Sequence, residues 1–472
     1  MLPMFLAVID QTIVATALPS IASELQSVEW TSGIVVGYLI AATILSPVYG
    51  RLGDAFGRRK LLFIALGIFV GASVLCALAD SIGTLIAARV LQGVGGSGLM
   101  SLSQALIGEA VRPRDRARFQ GFLAGVAVTS NTLGPVVGGL LTQYFGWRSI
   151  FLVNVPVGLL AVLLLARLPV RNVAREPFQF DGMGLLLFAL MVTSLLGALQ
   201  ELQRFDFAVF YVVVTLMVVA VVALFLLYRW EKRAPDPLLP LSLLRDRSIW
   251  RSDAMAACHG ATLVSLLTFL PIYFRTVHGS DAAEIGLLMA PMTIAIAIGS
   301  MLTGTIVART GHSAILPSLG TAATAIALVL LSLVSPVLTP RAASLVLACA
   351  TFFMGSVMSV VQVTVQTAAG PSQLGRAASS VQLSRALGAA LGTATVSLAI
   401  FATISLTDPQ AIAVFSALLE AGPDALSTFS PAMISEVASG IGSAFRVGFL
   451  LIAAFAAISS VLAWTLPMRR IE

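Results

Sequence analysis

The chain has 472 residues, 58% of them apolar and only 11% charged, with a mean hydropathy of +0.97. A soluble fold covers its surface with about 25% charged residues, so a set of soluble domains is excluded. Apolar runs of about 20 residues, without strict alternation, exclude a β-barrel as well and leave a polytopic α-helical membrane protein.

Taken in chain order, the apolar runs predict fourteen spans: 1–23, 31–50, 61–79, 83–107, 119–142, 148–167, 182–200, 207–228, 252–275, 284–307, 314–334, 342–366, 376–404 and 441–466. The first opens with no basic region before it and no small-residue cleavage site. It therefore reads as a retained helix and not a signal peptide, and the start reads as clipped. The longest polar segment is 406–440, mildly acidic, between the last two spans.

The net charge of +6 does not point to nucleic acid, because 26 of the 28 basic residues are Arg and most sit in short loops. With the N-terminus inside, cytoplasmic segments hold 22 of the 28 Lys and Arg. The outer side holds five (Arg148, Arg204, Arg275, Arg341 and Arg446), and Arg89 is intramembrane. That bias predicts that both termini are cytoplasmic. Cys76, Cys258 and Cys349 lie far apart inside apolar runs, and His259, His278 and His312 do not cluster, so no disulfide framework or metal site is expected.

A repeat appears at an offset of 254. Gly50-Arg51-Leu52-Gly53-Asp54-Ala55-Phe56-Gly57 follows the second span, and Gly304-Thr305-Ile306-Val307-Ala308-Arg309-Thr310-Gly311 follows the tenth. The same offset carries Gly134 and Gly138 onto Gly388 and Gly392. This predicts a duplicated six-helix unit with the seventh and eighth spans inserted: 1–170 as one half, 171–250 as the insert and central loop, 251–472 as the other half. Transporters are often built from such repeats.

Among the 22 acidic residues only Asp10 lies far from a predicted helix end, and Arg89 is the comparable basic residue. An intramembrane charge is costly unless paired or facing water, so the default reading is functional. A carboxylate that exchanges protons between two access states would couple a gradient to transport. A structural pairing near the end of the first helix is the competing reading.

Four local patterns then converge. The segment Gly50 to Lys60 matches the cytoplasmic loop of the major facilitator superfamily. Leu85-Ile-Ala-Ala-Arg89-Val-Leu-Gln92-Gly-Val-Gly-Gly96 is similar to that superfamily's fourth-helix pattern. Leu133-Gly134-Pro135-Val-Val-Gly138-Gly139 resembles the fifth-helix antiporter pattern of drug exporters, and Leu6-Ala-Val-Ile-Asp10-Gln-Thr-Ile-Val-Ala-Thr-Ala-Leu-Pro19 resembles the first helix of the fourteen-helix drug:proton antiporters.

The resemblance covers essentially the whole chain. It implies a major facilitator fold and proton-coupled efflux of amphipathic drugs across the cytoplasmic (inner) membrane. An exporter of a metabolite, fatty acid or peptide is the alternative. A non-transporting sensor on the same fold would carry an added cytoplasmic domain, for which 229–251 is too short.

By resemblance, Asp10 and Arg89 form the proton-coupling unit. Asp54 meets the N-terminal end of the thirteenth helix near Ser372–Ser380, and Arg58 pairs with Glu109, latching the halves; Gly50 and Gly57 supply the loop's tight turn. Ala308 stands where Asp54 does in the second copy. Gly134, Pro135, Gly138 and Gly139 form the antiporter motif. Gln92, Gln104, Asn131, Gln362 and Gln366 are candidate cavity-lining groups, with interhelical hydrogen bonding as the competing reading. The implied partners are amphipathic small molecules, protons and lipid, with no nucleic acid, the chain acting as a monomer or with accessory export proteins. No cofactor is expected. No HExxH, GxSxG or GxxxxGK[ST] pattern occurs, so neither catalysis nor ATP use is predicted.

Overall fold

A computed structural model describes residues 1–25, 30–167, 179–202, 210–239, 243–280, 282–334, 338–407, 431–468 and 470. The described secondary structure is helical: α1 (Leu2–Glu24), α2 (Thr31–Phe56), α3 (Arg58–Ala77), α4 (Ile82–Ala110), α5 (Pro113–Phe145), α6 (Ser149–Ala166) and α7 (Gly182–Leu202). These are followed by α8 (Phe210–Glu231), α9 (Arg247–His278), α10 (Ala282–Thr310), α11 (Ile315–Val334), α12 (Pro340–Ala369), α13 (Leu374–Thr407) and α14 (Pro431–Trp464).

Thirteen helices among the described residues are long and apolar enough to cross a membrane. The remaining one, α5, opens on Arg114, Asp115, Arg116 and Arg118, but its 33 residues reach about 50 Å at 1.5 Å per residue. The acidic segment expected at 406–440 falls largely on 408–430, outside the described residues, and α14 starts at Pro431, ten residues before the expected 441.

The helices form two six-helix halves with two inserted. In the first half α4 packs between α2 and α3, and α1 lies along α5; in the second, α9 packs on α13 and α14, α11 on α14, and α10 on α12. The inserted α7 and α8 pack on each other and reach α2 and α13. The halves meet along two seams, α5 with α10 and α2 with α13. Burial follows this plan: α4 is buried over 67% of its most apolar window and α8 over only 22%. Apolar side chains of α8 such as Val218, Val221 and Phe225 stay exposed, as a helix bordered by lipid requires.

The repeat is visible in the backbone and in the packing. Gly57 and Gly311, which lie 254 apart, both take a left-handed φ (+94° and +73°) as the chain leaves α2 and α10. Gly134 and Gly138 press against α1, while Gly388 and Gly392 press against Ala257 and Ala261 of α9. Each pair therefore serves the same contact, fifth helix on first, in its own half. Small residues let helices approach closely where lipid supplies no hydrophobic drive.

Candidate functional site

The first half encloses one charged cluster. Ser81 caps α4 by accepting from the Thr84 N–H at 3.3 Å, which starts the helix two turns ahead of Arg89. Arg89 Nη1 donates to Asp10 Oδ2 at 2.6 Å and to Gln92 Oε1 at 2.6 Å. Asp10 Oδ1 accepts from Gln92 Nε2 at 2.8 Å and from Asn154 Nδ2 at 2.7 Å. Asn154 opens the longer part of α6, just after the helix breaks at Val153. Ser73 of α3 accepts from both amides and donates to the Phe69 carbonyl. Arg89 Nε donates to the Ile34 carbonyl at 3.3 Å, and its guanidinium lies 4.4 Å from the Tyr38 ring centroid.

Asp10 is 0% and Arg89 1% exposed. The carboxylate thus has a full set of donors, the condition under which a charge is held in a low-dielectric interior. Helices α1, α3, α4 and α6 wall it in. Asp10 and Arg89, expected as one unit, are brought together and closed inside one half. Gln92, expected among the cavity-lining groups, is a member of this cluster instead.

A second cluster joins the halves at the arginine-rich face. Arg58 Nη1 donates to Glu109 Oε2 at 2.7 Å and Nη2 to Asp54 Oδ1 at 2.6 Å. Asp54 in turn accepts from the backbone N–H groups of Gly375 (2.8 Å) and Arg376 (3.0 Å) in the first turn of α13. That turn carries unsatisfied N–H groups and the positive end of the helix dipole, so a buried carboxylate is well placed there. The turn expected over 50–60 is narrower than its glycines suggested. Gly50 and Gly53 are helical, and only Gly57 takes the turn conformation. Gly50 is needed for another reason: a methyl group there would overlap Ser379 and the Gly375 carbonyl.

Sequence reasoning missed Asp236. This residue, in the linker after α8, forms an ion pair with Arg51 at the end of α2 and a second, at 3.3 Å, with Arg376. The linker of the inserted helices is therefore tied to both halves beside the Asp54 cluster. No local pattern marks Asp236, because its partners lie far away along the chain.

The remaining expected residues divide. Gln366 Nε2 donates to the Gln104 carbonyl across the halves at 3.1 Å. Gln362, one turn earlier on α12, is 2% exposed, and neither of its side-chain polar atoms has a hydrogen-bond partner among the described residues. Gln104, Gln362 and Gln366 are thus buried in α4 and α12, with Gln104 and Gln366 joined across the seam. The side chain of Asn131 lies outside the described residues. In α5, Gly134 and Gly138 are buried against Thr12, Ile13 and Thr16 of α1, Pro135 is exposed, and nothing stands within 4 Å of a methyl group placed on Gly139. Gly138→Ala should therefore cost about 1–3 kcal/mol of overpacking and lower both melting temperature and transport. Gly139→Ala should leave both unchanged. Equal behaviour in a thermal-melting and uptake comparison would refute this packing account.

Two six-helix halves joined by a charged cluster at one face, with two helices inserted between them, are the build of a membrane transporter. The chain belongs to the major facilitator superfamily, whose sequence profile matches residues 1–393. It is 37% identical over 390 residues to an MFS-type transporter of Mycobacterium tuberculosis named as uncharacterized, a match covering 82% of this chain and 57% of that relative. The chain thus spans a little over half of the mycobacterial relative's length. It is 30% identical over 392 residues to the multidrug transporter protein MdtP of Bacillus subtilis, covering 82% and 72% of the two chains. Among solved structures, the human organic anion transporter MFSD10 superposes with a TM-score of 0.65 at 15% identity, over 98% of this chain and 97% of that one. The proton:xylose symporter XylE does so at 0.63 and 16%, over 100% and 95%. At these identities the structural likeness concerns the fold alone.

Proposed function

We propose that the protein exports amphipathic, often cationic, compounds from the cytoplasm in exchange for protons, by alternating access across the inner membrane. The observation that carries this reading is the sealed Asp10–Arg89 pair. A carboxylate that exchanges its proton only when its helices move ties protonation to conformation, which is what coupling requires. Export of drugs is supported by the name of the Bacillus relative. Alternation is supported by the unmet hydrogen-bonding capacity of Gln362, Gln104 Oε1 and Gln366 Oε1: buried amides normally find partners, and opening the gate would give them water or substrate.

In this reading the arginine-rich face is cytoplasmic, and the Asp54–α13 contact is the latch of the outward-facing state. A reporter fused after Arg309 is then expected to be cytoplasmic; an exported reporter would reverse the orientation. Asp54→Asn should lower transport at unchanged membrane abundance, because it deletes a charge–dipole contact and no packing volume. Unchanged turnover in a vesicle assay would reduce the segment to a topology signal. The test of the function itself is accumulation of a fluorescent lipophilic cation in cells expressing the protein. Low accumulation that a protonophore restores is the expected result, and accumulation equal to that of empty cells across a panel of such cations contradicts it.

A further inference from the structure

Between the inserted helices and the second half lies a cavity of about 220 Å³. Its walls are apolar: Leu224 and Leu227 of α8, Leu239 of the linker and Leu383 of α13. Its mouth is open, since Leu224 is 53%, Tyr228 47% and Leu244 45% exposed. Polar groups also line the cavity. Asp253, on α9, is 4% exposed, and its Oδ2 has no hydrogen-bond partner among the described residues. Its Oδ1 accepts only a long 3.3 Å bond from Ser380, whose single hydroxyl proton is also shared with the Ala377 carbonyl. Glu231, likewise buried, holds the Leu239 N–H. Arg376, the cation among the lining residues, is already engaged with Asp236.

A buried carboxylate oxygen without a donor among the described residues, in the lining of an apolar slot, is a costly arrangement. It has one good complement. We propose that this cavity is a binding site for an amphipathic monocation bearing an N–H group, its ammonium donating to Asp253 Oδ2 and its apolar body lying among the leucines. The choice of a cation rests on the export reading above; the cavity and the unpartnered oxygen do not. The site is separate from the Asp10 cluster and lies against the first turns of α13, where Asp54 is held, so a compound would meet it beside the gate on the side of the inserted helices.

The test is equilibrium dialysis of 1-pyrenemethylammonium and of neutral 1-pyrenemethanol against the full chain in lipid nanodiscs, with empty discs as the blank. The ammonium should bind tighter than the alcohol by roughly 10- to 100-fold, the range for a hydrogen bond to a charged group. Asp253→Asn should erase that preference, and Asp253→Glu should keep much of it. Leu244→Trp, at an exposed rim position where folding is safe, should weaken both ligands. Asp10→Asn should change neither. Equal binding of amine and alcohol by the wild type would show a plain apolar slot and overturn the proposal. So would an ammonium affinity that Leu244→Trp leaves intact, since binding would then lie elsewhere. Because the assay needs no gradient, ammonium binding at this site with no cation-driven proton movement would sink the export reading and leave the site standing.

Discussion

Asp10→Asn is expected to abolish proton-driven export while leaving a folded protein in the membrane. The reason lies in what remains around Arg89. Its guanidinium keeps the Gln92 Oε1 bond, the Ile34 carbonyl and the face of Tyr38, which offset part of the cost of losing its counter-charge. The neutral amide nearly matches the carboxyl in volume and mimics a permanently protonated carboxyl, which has no proton to release. Substrate binding should therefore survive in equilibrium measurements while drug-dependent proton movement stops. Full coupling in a correctly inserted variant would remove Asp10 from the mechanism and turn attention to the amides of α12.

Arg89→Ala is expected to be the more damaging change for the fold. It leaves the Asp10 carboxylate buried with only the neutral donors of Gln92 and Asn154, and breaking a buried pair in this way costs about 3–5 kcal/mol. Arg89→Lys should fall between the two, because an ammonium keeps the charge but cannot span Asp10, Gln92 and the Ile34 carbonyl together. Adding Asp10→Asn to Arg89→Ala should recover much of the lost stability, since the orphaned charge disappears. Melting temperatures of the wild type, Asp10→Asn, Arg89→Ala and the double variant form a double-mutant cycle; additive losses would mean that the two residues do not interact energetically.

Why these two residues were legible in the sequence, and their neighbours were not, is a matter of cost. A charge in a span is expensive enough to be rare, so Asp10 and Arg89 stand out in any count. Asn154 and Ser73 complete the same cluster, but uncharged polar residues are common in spans, and nothing local separates a network member from a packing residue. Spans were legible because lipid demands apolar length, and the Gly50–Lys60 cluster because its charges and glycines sit in one short local pattern. Gly50 misled as a turn residue: a helix tolerates it, and its service is close approach to α13. The long-range pairing of Asp236 with Arg51 and Arg376 depends on how the inserted helices fold back on the gate, which no sequence spacing encodes.

The most direct test of proton-coupled export is made in everted membrane vesicles energised to an acidic interior. Adding a lipophilic cation should release protons from the lumen in a saturable way with the wild-type protein, and not at all with Asp10→Asn at equal abundance. Cation uptake into the same vesicles that proceeds without proton release, or release that is identical in the two proteins, would contradict the account.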